Sequence, residues 1–96
     1  DNLDVFDIMT PNGDGLNDVF VIRGIHRYPN NTLEIFNRWG AKIYESNDYQ
    51  NDWNGEARGS AVGASNTVPT GTYYYVINLR NSGLQPFAGP IYVATN

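Results

Sequence analysis

Short apolar segments, interrupted by glycine, proline and asparagine about every 10–15 residues, constrain the fold of this chain more than any other feature. The segments are rich in valine, isoleucine, tyrosine, phenylalanine and threonine, which favour strands. No stretch has the apolar period of a helix. We predict strands near residues 4–9, 18–23, 32–37, 41–46, 72–80 and 86–94, with a further short strand near 50–54. The pattern predicts one all-β domain over residues 1–96, a single antiparallel immunoglobulin-like β-sandwich of about seven short strands with Greek-key character.

One hairpin can be placed from the sequence. Residues 32–37 and 42–45 alternate apolar with polar side chains, and Gly40 can adopt the positive φ that a turn between them requires. We expect Trp53 to pack over this hairpin or at an open end of the sandwich, with Gly55 allowing a turn behind it. The predicted core positions are Phe20, Ile22, Ile35, Tyr74, Val76 and Ile91.

Composition narrows the classes of function. The net charge of −4 argues against a nucleic-acid partner, which would require clustered lysine and arginine. No apolar run approaches the ~20 residues of a membrane span, so we expect no membrane insertion. Cysteine is absent and His26 is the single histidine, so the usual nucleophile arrangements are nearly unavailable. We therefore predict that the domain is not an enzyme.

The segment 10–18 has the composition of a cation-binding loop or of a tight double turn. If calcium binds, the side-chain oxygens of Asn12, Asp14 and Asp18 are the candidate ligands, helped by the Leu16 carbonyl. The match to an EF-hand loop is partial, because Val21 stands where that loop has a bidentate glutamate. In the alternative, the same side chains bond backbone amides. No other cofactor is predicted.

The aromatic side chains also have two interpretations. Trp39, Trp53 and Tyr49 exposed on one face would suit a carbohydrate-binding module, whereas small domains usually bury such side chains. Arg38 beside Trp39 at the hairpin tip suits a binding hot spot, or the two side chains stack on the domain's own surface. The motif Asn30-Asn31-Thr32 matches a glycosylation sequon, a pattern that is frequent by chance.

The order of several motifs resembles a known family. Thr10-Pro11-Asn12-Gly13-Asp14-Gly15 with Asn17-Asp18 is followed by Phe36-Asn37-Arg38-Trp39-Gly40, then Trp53-Asn54-Gly55, then Pro69-Thr70-Gly71-Thr72-Tyr73-Tyr74-Tyr75. This order resembles the gliding motility-associated C-terminal domain, the type B sorting domain of the type IX secretion system of Bacteroidota. The resemblance covers almost the whole chain.

The resemblance implies a β-sandwich without activity of its own, at the C-terminus of a larger secreted protein. Such a domain is recognised during export and is associated with attachment to the outer-membrane surface or release outside the cell. The implied partners are the outer-membrane translocon and surface-anchoring proteins, and we expect the isolated domain to be a monomer. The predicted partner-binding residues are Asn12, Asp14, Asp18, Arg38 and Trp39. A carbohydrate-binding module or a structural immunoglobulin-like spacer remains the alternative.

Overall fold

Strands dominate the computed structural model, which describes residues 3–11, 17–57, 67–80 and 82–95. The seven strands are β1 (Asp4–Phe6), β2 (Ile8–Met9), β3 (Val21–Arg23), β4 (Asn31–Phe36), β5 (Lys42–Asn47), β6 (Gly71–Leu79) and β7 (Phe87–Val93). A single-turn 3₁₀ helix, Ile25–Arg27, follows β3. The described residues contain no helix longer than this one, in agreement with the all-β prediction.

The strands form two sheets with the connectivity of an immunoglobulin-like sandwich. A five-stranded sheet has the order β2-β7-β6-β4-β5, and β1 pairs with β3 in a second sheet. The order β7-β6-β4-β5 matches the G-F-C-C′ order of a variable-type immunoglobulin sheet, and β1-β3 takes the place of its A and B strands. The predicted sandwich of about seven short strands is therefore confirmed.

The structure departs from the predicted strands in two places. The segment predicted as one strand over 4–9 breaks at Asp7, so that β1 belongs to one sheet and β2 to the other. Consequently β2 runs parallel to β7, an exception to the predicted antiparallel pairing. The region near 50–54 is not a strand, although it lies alongside β3 and the residue before it. The Phe20 N–H donates to the Trp53 carbonyl at 2.9 Å, and the Ile22 N–H donates to Asn51 Oδ1 at 2.8 Å.

The buried face of β6 is opposite to the predicted one. Of the predicted core positions, Phe20, Ile22, Ile35 and Ile91 are fully buried. Tyr74, however, is 45% exposed, and Val76 is only half-buried, because the odd-numbered residues of β6 face the core. Three consecutive tyrosines obscure the alternation of the strand. The polar residues Thr72 and Asn78 share the outward face with Tyr74 and would have set the correct phase.

An aromatic cluster of Phe20, Tyr44, Tyr49 and Trp53 packs against the β4–β5 hairpin. Trp53 is 2% exposed and its ring lies 5.7 Å from that of Tyr44 on β5, which confirms that Trp53 packs on the hairpin. The Tyr49 hydroxyl, also buried, donates to the Phe20 carbonyl at 2.6 Å and accepts from the Trp53 N–H at 2.9 Å. Gly55 has a φ of 94°, so the turn behind Trp53 uses the left-handed conformation expected of a glycine.

Candidate functional site

The register of the five-stranded sheet brings distant motifs to one end of the molecule. Phe36 near the end of β4 pairs with Tyr74, close to the start of β6, and Gly71 at that start pairs with Val93 at the end of β7. Met9 at the end of β2 also pairs with Val93. The segments that follow β2, β4 and β7, and the segment that precedes β6, therefore meet. We call this region the motif end, because it carries residues 10–11, 37–40, 53–55 and 69–71.

The hairpin tip within the motif end is held by one side chain. Asn37 Oδ1 accepts hydrogen bonds from the backbone N–H groups of Trp39, at 3.0 Å, and Ala41, at 2.9 Å. Gly40 closes the turn with a φ of 85° and donates its N–H to the Asn37 carbonyl. The Asn37 side chain thus satisfies the backbone N–H groups of the turn. The side chains of Arg38 and Trp39 are exposed to solvent.

Arg38 and Trp39 form an exposed cation–aromatic pair. The Arg38 Cζ lies 4.6 Å from the centroid of the Trp39 ring, and Trp39 is 76% exposed. Both salt bridges found among the described residues belong to Lys42, so Arg38 has no acidic partner there. A guanidinium stacked on an indole loses little further conformational freedom on binding a partner. The two side chains stack on each other, and Trp39 remains largely exposed to solvent.

A groove beside the hairpin tip joins two of the motifs. It has a volume of about 170 Å³ and is lined by residues 37–39 on one side and 69–73 on the other. The Tyr73 hydroxyl donates to the Pro69 carbonyl at 2.6 Å and fixes the second wall. Burial raises the pKa of this hydroxyl, while the neighbouring Arg38 guanidinium opposes the rise. Sequence reasoning singled out the first wall but missed the second, which only the β4–β6 register places beside it.

The described residues of the segment predicted to bind calcium or a partner are those at its base, residues 10–11 and 17–18. Asn12 and Asp14 are outside the described residues, and so is the Leu16 carbonyl. The base of the loop is closed by a hydrogen bond from the Thr10 N–H to the Asn17 carbonyl at 2.8 Å. Asp18 is half-buried and lines a second depression with Pro11, Val19, Asn54, Glu56 and Thr67.

Residues 67–70 connect the two depressions. Thr67 lines the depression beside Asp18, and Pro69 and Thr70 line the groove beside the hairpin tip. Val68, between these residues, is buried, and its backbone N–H donates to the Gly55 carbonyl at 2.8 Å.

The calcium interpretation stays a prediction. Within the ranges that the structure covers, no three acidic or histidine side chains come close enough to hold a metal ion. Two of the three predicted side-chain ligands lie outside those ranges. A calcium-dependent rise in the melting temperature that Asp18→Asn abolishes would establish the site. An unchanged melting temperature in chelator would favour the double turn.

The three aromatic residues considered for carbohydrate binding do not form one exposed platform. Trp53 and Tyr49 are buried in the aromatic cluster, and only Trp39 faces solvent. Burial also raises the pKa of the Tyr49 hydroxyl far above its usual range, as expected for a phenol inside the core. The large hydrophobic side chains of these two residues therefore serve packing.

The comparison with protein families agrees with the motif order. The model of the CHU_C type IX secretion signal domain matches residues 3–93 of the 96-residue chain. The chain therefore belongs to this family, a family of secretion signals rather than of enzymes. No curated protein and no solved structure shows significant similarity to the chain. Among the described residues, no helix is long and apolar enough to cross a membrane.

Proposed function

We propose that the motif end is the surface by which the type IX secretion machinery recognises this domain, for export of the attached protein and its attachment to the cell surface. Family membership supports a role as a C-terminal sorting signal. The observation that carries the proposal is the convergence of the hairpin tip and the segment 69–73 around one groove, with Trp39 left 76% exposed beside it. A tryptophan this exposed contributes little to folding and is a frequent hot spot in interfaces.

The motif residues divide into two groups by their environment. Trp53 and Gly55 are buried, one in the aromatic core and the other in a left-handed turn, so their side chains or backbone conformation serve folding. The side chains of Arg38 and Trp39 project from a turn that Asn37 stabilises through backbone N–H groups alone. The proposal assigns recognition to the exposed group, together with the half-buried Asp18 and the adjacent loop residues Asn12 and Asp14.

The direction of the strands favours access by a large partner. β2 runs parallel to β7 toward the motif end, and Asp4 in β1 pairs with Arg23 at the opposite end of the sandwich. A polypeptide that precedes residue 3 therefore enters the domain away from the motif end. An attached passenger protein would leave the groove free. The domain acts in this proposal as a non-catalytic module presented to the translocon and to surface-anchoring proteins.

An export assay tests the proposal. The chain is fused behind a fluorescent passenger in a bacterium with an active type IX system, and the fraction of passenger on the cell surface is measured. We expect the double variant Arg38→Ala/Trp39→Ala to reduce this fraction at least about tenfold, because removing one hot-spot residue commonly costs ~2 kcal/mol of binding free energy. Circular dichroism must show that the variant keeps its fold.

The chain provides a matched control. Arg23 and Phe6 form another exposed cation–aromatic pair, with the Arg23 Cζ 5.2 Å from the ring centroid, on β3 and β1. Arg23→Ala/Phe6→Ala removes the same kinds of side chain from the second sheet and should leave export unchanged. Equal export of the parent and of the folded hairpin variant would show that the hairpin tip is not the recognition surface.

A further inference from the structure

A polar pocket lies at the other end of the five-stranded sheet and is independent of the proposed recognition surface. It has a volume of about 210 Å³ and is lined by Pro29, Asn30, Asn31, Thr32, Asn47 and Arg80. These residues come from the start of β4, the end of β5 and the turn after β6, which the antiparallel register brings together. We call it the Arg80 pocket.

The Arg80 side chain is held across the pocket by a short hydrogen-bonded chain. Its Nη2 donates to Thr32 Oγ1 at 2.7 Å, and the Thr32 hydroxyl in turn donates to Asn47 Oδ1 at 3.3 Å. Thr32 is only 5% exposed, so this hydroxyl is fully used inside the protein. The contact orients the guanidinium and leaves four of its five N–H groups for other partners.

The floor of the pocket is rigid. Asn31 is buried, its Oδ1 accepts from the Tyr49 N–H at 2.9 Å, and its amide donates to the Tyr28 carbonyl at 2.7 Å. Its backbone carbonyl accepts from the Asp48 N–H at 2.9 Å. A site fixed in this way is already arranged before a ligand arrives, which lowers the entropy cost of binding.

The groups that remain unused are mainly donors. Arg80 has no acidic partner among the described residues. A ligand would meet the Asn47 amide through its nitrogen, because the amide oxygen accepts from the Thr32 hydroxyl. Asn30 at the rim is exposed and adds another amide. No carboxylate of the described residues lines the pocket, although the chain as a whole carries a net charge of −4.

These observations also explain the sequon-like motif Asn30-Asn31-Thr32. Its three residues line one pocket, and the threonine hydroxyl is committed to Arg80 and Asn47. The structure thus gives the motif a role in shaping this pocket.

We propose that the Arg80 pocket binds a carboxylate group. The planar guanidinium can donate two parallel hydrogen bonds to the two oxygens of a carboxylate, and the amides of Asn47 and Asn30 can donate to the same oxygens from the side. A sugar acid and an acidic amino acid both present this group in a form small enough for the pocket. The shared chemistry is the carboxylate, and the test separates the two.

Nuclear magnetic resonance of the ¹⁵N-labelled 96-residue chain provides the test, because it resolves the side-chain N–H groups of arginine and asparagine. The probes are sodium glucuronate, N-acetylaspartate amide and, as a neutral control, glucose, all at constant ionic strength. We expect saturable shifts for Asn30, Asn47 and Arg80 with a Kd of about 1–10 mM for at least one carboxylate, as one partly exposed ion pair with added hydrogen bonds should give. Tighter binding of glucuronate assigns the pocket to sugar acids, and tighter binding of the aspartate probe assigns it to acidic peptides.

Variants make the result specific. Arg80→Gln should weaken binding at least about tenfold, and Arg80→Lys should weaken it less, because lysine keeps the charge and loses the fork. Arg23 is an exposed arginine of β3 outside the pocket, so Arg23→Gln should leave the Kd unchanged. The absence of shifts at 50 mM carboxylate, equal shifts with glucose, or undiminished binding by folded Arg80→Gln would overturn the proposal.

Discussion

Removing the Tyr49 hydroxyl should destabilise the domain far more than its single oxygen atom suggests. In the parent chain this oxygen satisfies two buried backbone groups at once, the Phe20 carbonyl and the Trp53 N–H. Tyr49→Phe keeps the ring and its contacts with Phe20 and Tyr44, at centroid distances of 6.1 and 6.4 Å. The variant therefore isolates the hydrogen bonds from the packing.

The expected magnitude follows from the two groups left without a partner. A buried donor or acceptor that loses its hydrogen bond costs about 1–3 kcal/mol, so the pair should cost about 3 kcal/mol. A domain of this size has a total stability of about 5–10 kcal/mol, and each kcal/mol shifts its melting temperature by about 4–8 °C. We expect the melting temperature of Tyr49→Phe to fall by about 12–24 °C.

The assay is urea unfolding followed by circular dichroism, with a thermal melt on the same samples. The urea midpoint should fall while the slope of the unfolding free energy against urea stays the same, because the variant exposes the same surface on unfolding. Tyr92→Phe is the matched control, since Tyr92 is 47% exposed on β7, and it should lie within ~0.5 kcal/mol of the parent. A Tyr49→Phe variant as stable as Tyr92→Phe would refute the assigned role of the hydroxyl.

Three further predictions concern glycine, the hairpin turn and pH. Gly55→Ala should lower the free energy of unfolding by about 1–3 kcal/mol, because alanine must adopt a φ of 94°. Gly71→Ala should be close to neutral, because the added Cβ would meet no atom of the described residues within 4 Å. Urea unfolding of both variants measures the difference. Asn37→Ala should lower the melting temperature by removing the acceptor of two turn N–H groups, while Asn37→Asp, which keeps an acceptor, should lower it less; equal losses would contradict that role. Burial raises the pKa of Tyr49 far above 10.0, so the folded state keeps a proton that the unfolded chain loses. The contribution of Tyr49 to stability should therefore be constant below about pH 10 and then fall by up to about 1.4 kcal/mol per pH unit. Urea unfolding repeated between about pH 8 and pH 11.5 measures this contribution as the part of the decline that Tyr49→Phe lacks.

The strands and the hairpin were predictable because their signals are local. Alternation of apolar and polar residues and the Gly40 turn lie within a few positions of each other, and the structure confirms both. The prediction of which face of β6 is buried was wrong, because Tyr73, Tyr74 and Tyr75 show no alternation of apolar and polar residues. The parallel pairing of β2 was missed because a two-residue strand has almost no pattern, and its partner β7 lies at the far end of the chain.

The candidate site was predictable only in part, for the same physical reason. Arg38 and Trp39 stood out as neighbours at a hairpin tip, and the structure finds them stacked and exposed. The second wall of the groove depends on strand register between residues that are far apart in sequence, which no local pattern encodes. The same holds for the Arg80 pocket, whose central hydrogen bond joins Arg80 to Thr32, 48 positions away.

Site-specific photocrosslinking in cells tests the central claim most directly. A photoreactive phenylalanine analogue is placed at position 39 of the chain, and in a second strain at position 6, because Phe6 is also exposed but lies in the second sheet. Both fusions are irradiated during export, in cells with an active type IX system and in cells that lack the translocon. Recognition through the motif end predicts an adduct with a translocon or surface-anchoring component from position 39 that is absent from position 6 and from the translocon-deficient cells. An adduct that forms from position 6 but not from position 39 would contradict it.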